Sequence, residues 1–412
     1  MKKVVVQKFG GTSVATPQAR RQVIRHIERA FTEGLHPVVV VSAMGRRGDP
    51  YATDTLLELV EGEGGEEEPR ELDLLMACGE VISTVVLAQM LRGRGHAAKA
   101  FTGAQAGIVT DGAFGNARIV RVDPERIARA VAEGIIPVVA GFQGVGPDGE
   151  VTTLGRGGSD TSAAALAVAL GAVRLEVYTD VDGVKTADPR IAPEAATLAR
   201  LSYSEVVELA HLGAKVIHPR AVEIAMGGQL PLQIRPTATD APGTLVTDEA
   251  PGGALEQRAI DRPVTGIAHV SQRAQVVVDV PPEGEGRAAP AIFTALGDAG
   301  ISVDMINVTP ERISFIVEGK AINRIERILE KLGFSYRVRS GLAKVSAVGG
   351  GMHGVPGVMG RVAKALAEAG VQILQTTDSH ANISCLVTED QMKAAVLALH
   401  NEFRLASHAA KE

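Results

Sequence analysis

Over roughly the first 245 residues, short β-branched runs alternate with amphipathic stretches, the rhythm of an α/β domain with an open, mainly parallel sheet flanked by helices. Val4 to Val6 breaks into Gly10-Gly11-Thr12-Ser13, a strand entering a tight turn. Thr16-Pro17 then opens a helix as N-cap and first helical residue, and Val23, Ile24, Ile27, Ala30 and Phe31 share one face before Gly34 stops it. Pro37 to Val41, Ile135 to Ala140 and Arg174 to Tyr178 are continuous apolar runs, as in strands buried on both faces. Ser159 to Leu170 and Ser204 to Leu212 predict helices. Glu61 to Glu71, rich in Gly and Glu, predicts a solvated, mobile loop. Arg235 to Arg262 holds three prolines and no sustained period, and predicts a connector with a short closing strand at Thr244 to Val246.

An internal repeat follows. Leu296, Gly300, Ile313-Ser314 and Val317 recur 70 residues later as Leu366, Gly370, Ile383-Ser384 and Val387. Each copy reads β-α-β-β-α-β, the ferredoxin-like unit, with leading helices at Ala289 to Ala299 and Val358 to Ala369. Paired modules of this kind leave interface pockets for a small ligand; a purely dimerising tail is the other reading. The expected organisation is a catalytic domain over 1–245, a linker over 246–262, and modules over 263–338 and 339–412, with 263–272 available to pair into the second module.

Composition narrows the class. A chain of 412 residues with 45% hydrophobic and 22% charged positions is globular. A formal charge of −6 disfavours nucleic acid as a partner. Cys78 and Cys385 are the only cysteines, which fits a reducing cytoplasm. Lys2-Lys3 is followed by three apolar residues, too few for a signal peptide, and no apolar run approaches membrane-spanning length.

Three elements carry candidate chemistry. At Lys8 to Val14, two glycines, a helix start and a lysine suit an anion such as a nucleotide phosphate, although an ordinary strand-turn-helix has the same outline. Gly155-Arg156-Gly157-Gly158-Ser159-Asp160 again leads into a helix. Its arginine suits a bidentate carboxylate, and Ser159 and Asp160 stand where N-cap residues are expected. Tyr178-Thr179-Asp180-Val181-Asp182-Gly183-Val184 ends a strand in a polar loop, where open sheets place ligands. Asp180, Asp182 and Asp188 lack the glutamate and helix pair of a calcium loop. Gly144 to Gly149 matches GxGxxG but leads into a turn, and His211 and His218 lack a third ligand, so no resident metal is expected.

Together, KFGGTS at Lys8 to Ser13, GRGGSD at Gly155 to Asp160, YTDVDGV at Tyr178 to Val184, TADPR at Thr186 to Arg190 and the paired C-terminal modules resemble the aspartate kinase family over essentially the whole chain. The modules are similar to ACT domains, and Gln375 to His380 is similar to the diaminopimelate-sensitive subgroup of Gram-positive bacteria. The resemblance implies an amino-acid-kinase fold followed by two ACT modules. It also implies ATP-dependent phosphorylation of the aspartate β-carboxylate, the first step of lysine, threonine, methionine and diaminopimelate biosynthesis, under end-product feedback. It implies Lys8 and Asp160 as catalytic residues, and Ser42, Thr53, Glu80, Arg156 and Ser159 around aspartate, with Arg156 on its α-carboxylate and Glu80 on its ammonium. Lys8, Phe9, Gly10, Gly11, Ser13, Tyr178, Thr179, Asp180, Val184, Lys185, Arg190, Lys215 and Val216 would surround the nucleotide. Met352, Val355, Pro356, Gly357, Val358, Gln375, Thr376, Thr377, Asp378 and Asn382 would contact the effector, with lysine, threonine and diaminopimelate all open. Magnesium would ride on the ATP phosphates, and the modules would pair in a homodimer or higher oligomer.

The chain departs from the family pattern at Arg46 to Ala52, which lengthens the loop after Ser42, at Lys185, where an aromatic is usual, and at Glu283 to Ala289, where the first module lacks its Pro-Gly. Acetylglutamate and uridylate kinases share the catalytic fold but lack tandem modules. A non-catalytic sensor is disfavoured by the presence of Lys8, Glu80, Arg156 and Asp160 together.

Overall fold

The computed structural model describes residues 2–62, 68–214, 216–248, 263–281, 286–352 and 355–408, and the chain divides into two compact units. The first comprises Met1–Val184, Thr197–Ala210 and Lys215–Ala250. Its strands are β1 (Val4–Phe9), β2 (His36–Val41), β3 (Ala98–Phe101), β4 (Ile108–Thr110), β5 (Ile119–Val122), β6 (Ile136–Ala140), β7 (Gln143–Val145), β8 (Val151–Thr153), β9 (Arg174–Thr179), β10 (Arg200–Leu201), β11 (Leu232–Pro236) and β12 (Thr244–Val246). Its helices are α1 (Gly11–Val14), α2 (Pro17–Thr32), α3 (Thr53–Leu57), α4 (Pro69–Gly93), α5 (Glu125–Ala132), α6 (Gly158–Ala169), α7 (Tyr203–His211) and α8 (Pro219–Gly227).

The eight-stranded main sheet runs β10-β12-β11-β9-β1-β2-β6-β3, and only the β11–β12 pair is antiparallel. Every residue of β2 and β6 is buried, because helices cover both faces. One core cluster joins Val23, Ile24 and Ile27 of α2 and Leu87, Ala88 and Leu91 of α4 to Val39, Val41, Ile136 and Val138. A second, four-stranded sheet, β5-β4-β7-β8, has no counterpart in the hydropathy pattern.

Several expectations need correction. Gly10 to Ser13 is not a simple turn: the chain enters a single helical turn, α1, from an extended Gly10. A β-carbon on Gly11 would lie 2.7 Å from the Gly45 carbonyl oxygen and 2.8 Å from that of Ala43, so Gly11 is required by the neighbouring backbone. Phe31 is 38% exposed and stacks on His96 at 5.9 Å rather than entering the core. The mobile loop read over Glu61 to Glu71 ends earlier, because Pro69 starts α4; residues 63–67 lie outside the described residues. α4 has 25 residues and is long and apolar enough to cross a membrane by length and composition. Its buried Asp73, Glu80, Leu87 and Leu91 make it a core helix here.

The second unit comprises Lys185–Ala196, His211–Ala214 and Pro251–Glu412. It contains β13 (Gly266–Asp279), α9 (Ala288–Asp298), β14 (Asp304–Val308), β15 (Arg312–Glu318), α10 (Ile322–Leu332), β16 (Ser335–Val348), α11 (Val358–Glu368), β17 (Gln375–Asp378), β18 (Asn382–Thr388) and α12 (Met392–Glu402). All pairs in its sheet, β14-β15-β13-β16-β18-β17, are antiparallel. β13 and β16 are shared between two halves: Arg273 to Asp279 pairs with β15, while Leu342 to Val348 of β16 pairs with β18. Each half has its own core, one around Phe315, Ile292 and Leu329, the other around Val345, Leu366 and Leu399. Ala187, Ala192 and Ala195 join the latter core, and Thr186 Oγ1 lies 3.0 Å from His400 Nε2.

Leu91 lies about 16 Å along α4 from Glu80 and is fully buried. Leu91→Ala should lower unfolding free energy by about 2–5 kcal/mol, measured by denaturant titration, while activity per folded molecule is unchanged.

Candidate active site

Parallel pairing decides where the polar residues converge. Phe9 is in register with Val41 of β2 and with Tyr178 of β9, and Pro236 of β11 with Thr179. Gly10, Ser42, Asp180 and Thr237, each following one of these strand ends, therefore emerge along one edge of the sheet. Beside it lies a cavity of about 460 Å³, lined by Lys8, Ser42, Thr53, Asp54, Leu57, Met76, Glu80, Gly115, Phe142 and the whole Gly155–Asp160 segment.

Lys8 Nζ and Asp160 Oδ1 form an ion pair of 2.6 Å with both side chains 12% exposed. Asp160 does not cap α6. The N-cap is Gly157 with φ +70°, and Asp160 lies in the first helical turn, where its Oδ2 accepts the His218 backbone N–H at 3.3 Å. A β-carbon on Gly157 would lie 2.2 Å from His218 Cγ, so both the left-handed backbone and the close approach require glycine. No side chain caps α6, which leaves its N-terminal dipole directed at the cavity, a favourable place for an anion. Arg156 is exposed and lines the same cavity.

Glu80 is the most perturbed carboxyl of the cavity. Burial pushes it up to about 8, against the lowering effect of the hydrogen bond from the Ala43 N–H. That bond to Oε1 measures 2.9 Å, and Oε2 has no hydrogen-bond partner among the described residues. A buried carboxyl with one oxygen unused, facing a cavity, is suited to an incoming ammonium group.

The structure gathers Lys8, Ser42, Thr53, Glu80, Arg156, Ser159 and Asp160 around one cavity. Other expected residues lie elsewhere. The Phe9 and Tyr178 rings stack in the core at 4.6 Å, and the Tyr178 hydroxyl bonds to Glu176, so only their backbones are available to a ligand. Ser13 is buried against Thr237, Oγ to Oγ1 at 2.6 Å. Asp180 pairs with Arg46 at 2.5 Å, joining the longer loop after Ser42 to the loop after β9. Val184 N–H donates to Thr244 Oγ1. Val216 is described in the first unit, whereas Lys215 lies outside the described residues. Lys185 and Arg190 belong to the second unit, where Arg190 pairs with Asp188 at 2.6 Å.

The effector candidates also lie in the second unit. Met352 and Val358 are core side chains, and Val355 packs against them. Pro356 and Gly357 are exposed ahead of α11. Gln375, Thr376, Thr377 and Asp378 form the edge strand β17, in which Gln375 Oε1 accepts from Gln275 Nε2 at 2.7 Å, and Asn382 Nδ2 donates to Ser379 Oγ at 2.8 Å.

Sequence reasoning missed Asp54, Leu57, Met76, Gly115 and Phe142 as cavity walls. Phe142 holds φ +69°, fixed by its N–H on Ser162 Oγ at 2.8 Å and by its carbonyl accepting from Leu154 N–H at 2.9 Å. Strain of this kind in a non-glycine residue concentrates at functional sites. Its only sequence signal was its place after the apolar β6 run.

The family model described as the amino acid kinase family matches residues 3–236, and an ACT domain model matches 345–403. Aspartokinase 1 of Bacillus subtilis (strain 168) is 48% identical over 404 residues, covering 98% of this chain and 100% of the relative. An aspartokinase of Geobacillus stearothermophilus is 43% identical over 413 residues, covering 99% and 98%. Among solved structures, E. coli aspartokinase III in complex with aspartate and ADP superposes with a TM-score of 0.80 over 97% of this chain and 99% of that one, at 24% identity. Identity and coverage of this extent, on a chain whose Lys8, Glu80, Arg156 and Asp160 meet in one cavity, make it a member of the aspartokinase family.

Proposed function

We infer that the chain transfers the γ-phosphoryl group of ATP to the β-carboxylate of L-aspartate. The observation that carries this is the cavity itself. It pairs a cation beside the phosphate edge, Lys8, with two groups of opposite sign, Arg156 and Glu80, that match the ends of an α-amino acid. Full-length similarity to aspartokinases supports the same substrate.

The nucleophile needs no base, because a carboxylate with a pKa near 4 is ionised at neutral pH. An aspartate β-carboxylate oxygen attacks the γ-phosphorus, the bond to the β,γ-bridging oxygen breaks, and ADP leaves with the electron pair. Catalysis then rests on alignment and charge stabilisation. Lys8 neutralises charge on the transferring group, and Asp160, held by the His218 N–H, orients Lys8. Ser42, Thr53 and Ser159 complete the aspartate pocket. The backbones of Gly10, Gly11 and Thr179-Asp180 hold the nucleotide, with Val184, Lys185, Arg190, Lys215 and Val216 assigned to it by family resemblance. Magnesium would be carried by the ATP phosphates and would lower their charge during transfer.

The reading includes regulation. An end-product amino acid binds the second unit near Met352–Val358 and Gln375–Asn382 and biases the kinase toward an inactive arrangement, in a homodimer or higher oligomer formed through the modules. Two unpaired cysteines, Cys78 and Cys385, accord with a cytoplasmic location.

Steady-state assays with ATP and aspartate, acetylglutamate or uridine monophosphate test the substrate: turnover with aspartate alone is expected, and its absence would sink the reading. Lys8→Ala should lower kcat by about 10²–10³-fold with an unchanged circular dichroism spectrum. Because free Glu80 titrates near 8 and must be charged to pair with an ammonium, KM for aspartate should fall as pH rises toward about 8 and level off above it. Glu80→Gln should raise KM and flatten that profile. Titrating activity with lysine, threonine and diaminopimelate should identify at least one inhibitor.

A further inference from the structure

Two buried carboxylates face the same side of α4, seven residues apart: Asp73, fully buried, and Glu80, 2% exposed. Glu80 keeps one oxygen free, whereas Asp73 is saturated. Its Oδ1 accepts the Thr153 hydroxyl at 2.6 Å, its Oδ2 accepts the Thr153 N–H at 2.7 Å, and the Gly115 N–H lies 3.0 Å from both oxygens. Gly115 lines the cavity, and Thr153 ends β8 three residues before Arg156. The same junction is closed by Ala117 N–H donating to the Thr153 carbonyl at 2.9 Å, and by Arg220 donating to Asn116 Oδ1 at 3.2 Å. A β-carbon on Gly155 would lie 2.9 Å from Asn116 Oδ1, so the turn that carries Arg156 rests directly on the segment Asp73 holds.

We propose that Asp73 is a positioning residue for the amino-acid substrate: by tying Gly115 and Thr153 to α4, it fixes the separation between Glu80 and the Gly155–Arg156 turn. α4 is then the ruler that matches the span from ammonium to α-carboxylate. The proposal rests on the aspartate reading of Glu80 and Arg156 given above. Every group facing the Asp73 carboxylate is a donor, so an asparagine there sets its own N–H₂ against a backbone N–H in either amide orientation. The nucleotide elements follow β1 and β9 instead, outside this junction.

Asp73→Asn should raise KM for aspartate about tenfold or more while KM for ATP stays within about twofold. Thr153→Val keeps the branched shape, removes one donor and should shift KM for aspartate the same way by about two- to fivefold; it carries the test if Asp73→Asn does not fold. Leu91→Ala, which weakens the same helix far from the cavity, should leave both KM values unchanged. The proposal falls if both Asp73→Asn and Thr153→Val leave KM for aspartate within about twofold of the parent, or raise both KM values equally. Arg156→Met and Glu80→Gln separate the two levels. If they raise KM for aspartate while the Asp73 and Thr153 variants do not, only the ruler is wrong. If they do not raise it, the aspartate reading itself is wrong.

Discussion

Strand β1 is hydrogen-bonded on both sides by parallel neighbours, β2 and β9, and the chemistry of the first unit depends on that pairing. Parallel strands in register end at one level, so the loops after β1, β2, β9 and β11 open on the same edge although they come from residues 10, 42, 180 and 237. The pairing also buries β1 on both faces, which gives Lys8 a rigid base. A flexible lysine stem loses rotamer entropy when held; a strand end and a partner carboxylate restrict it before substrate arrives.

The unit's buried carboxylates show how surroundings divide roles among similar groups. Burial raises Glu176 too, but hydrogen bonds from Gln7, Arg174 and Tyr178 and the Arg174 charge outweigh it and hold the group below its ordinary range. Asp73 is surrounded by donors on two loops. Glu80 has one backbone donor and is left high. A satisfied buried carboxylate stabilises local geometry, whereas an incompletely satisfied one holds binding energy in reserve for a ligand that completes it.

Much of this was legible in the sequence because strong signals are local. The apolar runs gave the central strands, the 70-residue recurrence gave the paired halves of the second unit, and Gly-rich segments beside Lys8 and Arg156 gave two sides of the cavity. What stayed hidden depended on tertiary context. α4 is apolar on most sides, so it lacks the amphipathic period that reveals a surface helix, and its Asp73 reads like any solvent-facing charge. Phe142 looks like an ordinary aromatic until its backbone angle is known. Gly11 stands in a segment that suits an anion, yet the atoms pressing on it belong to Ala43 and Gly45. The strands of the small sheet have three or four residues each, too short to establish a period.

Residues 185–196 come from the middle of the kinase sequence but belong to the second unit, where Ala187, Ala192 and Ala195 share a core with residues as late as Leu405. The boundary between the units is therefore not a point in the chain. Recombination that exchanged only the C-terminal tail for one from a distant homologue would leave this excursion facing an unfamiliar surface. A functional exchange has to carry the 185–196 stretch with its tail, so the two pieces are bound to diverge as a pair despite the sequence that separates them.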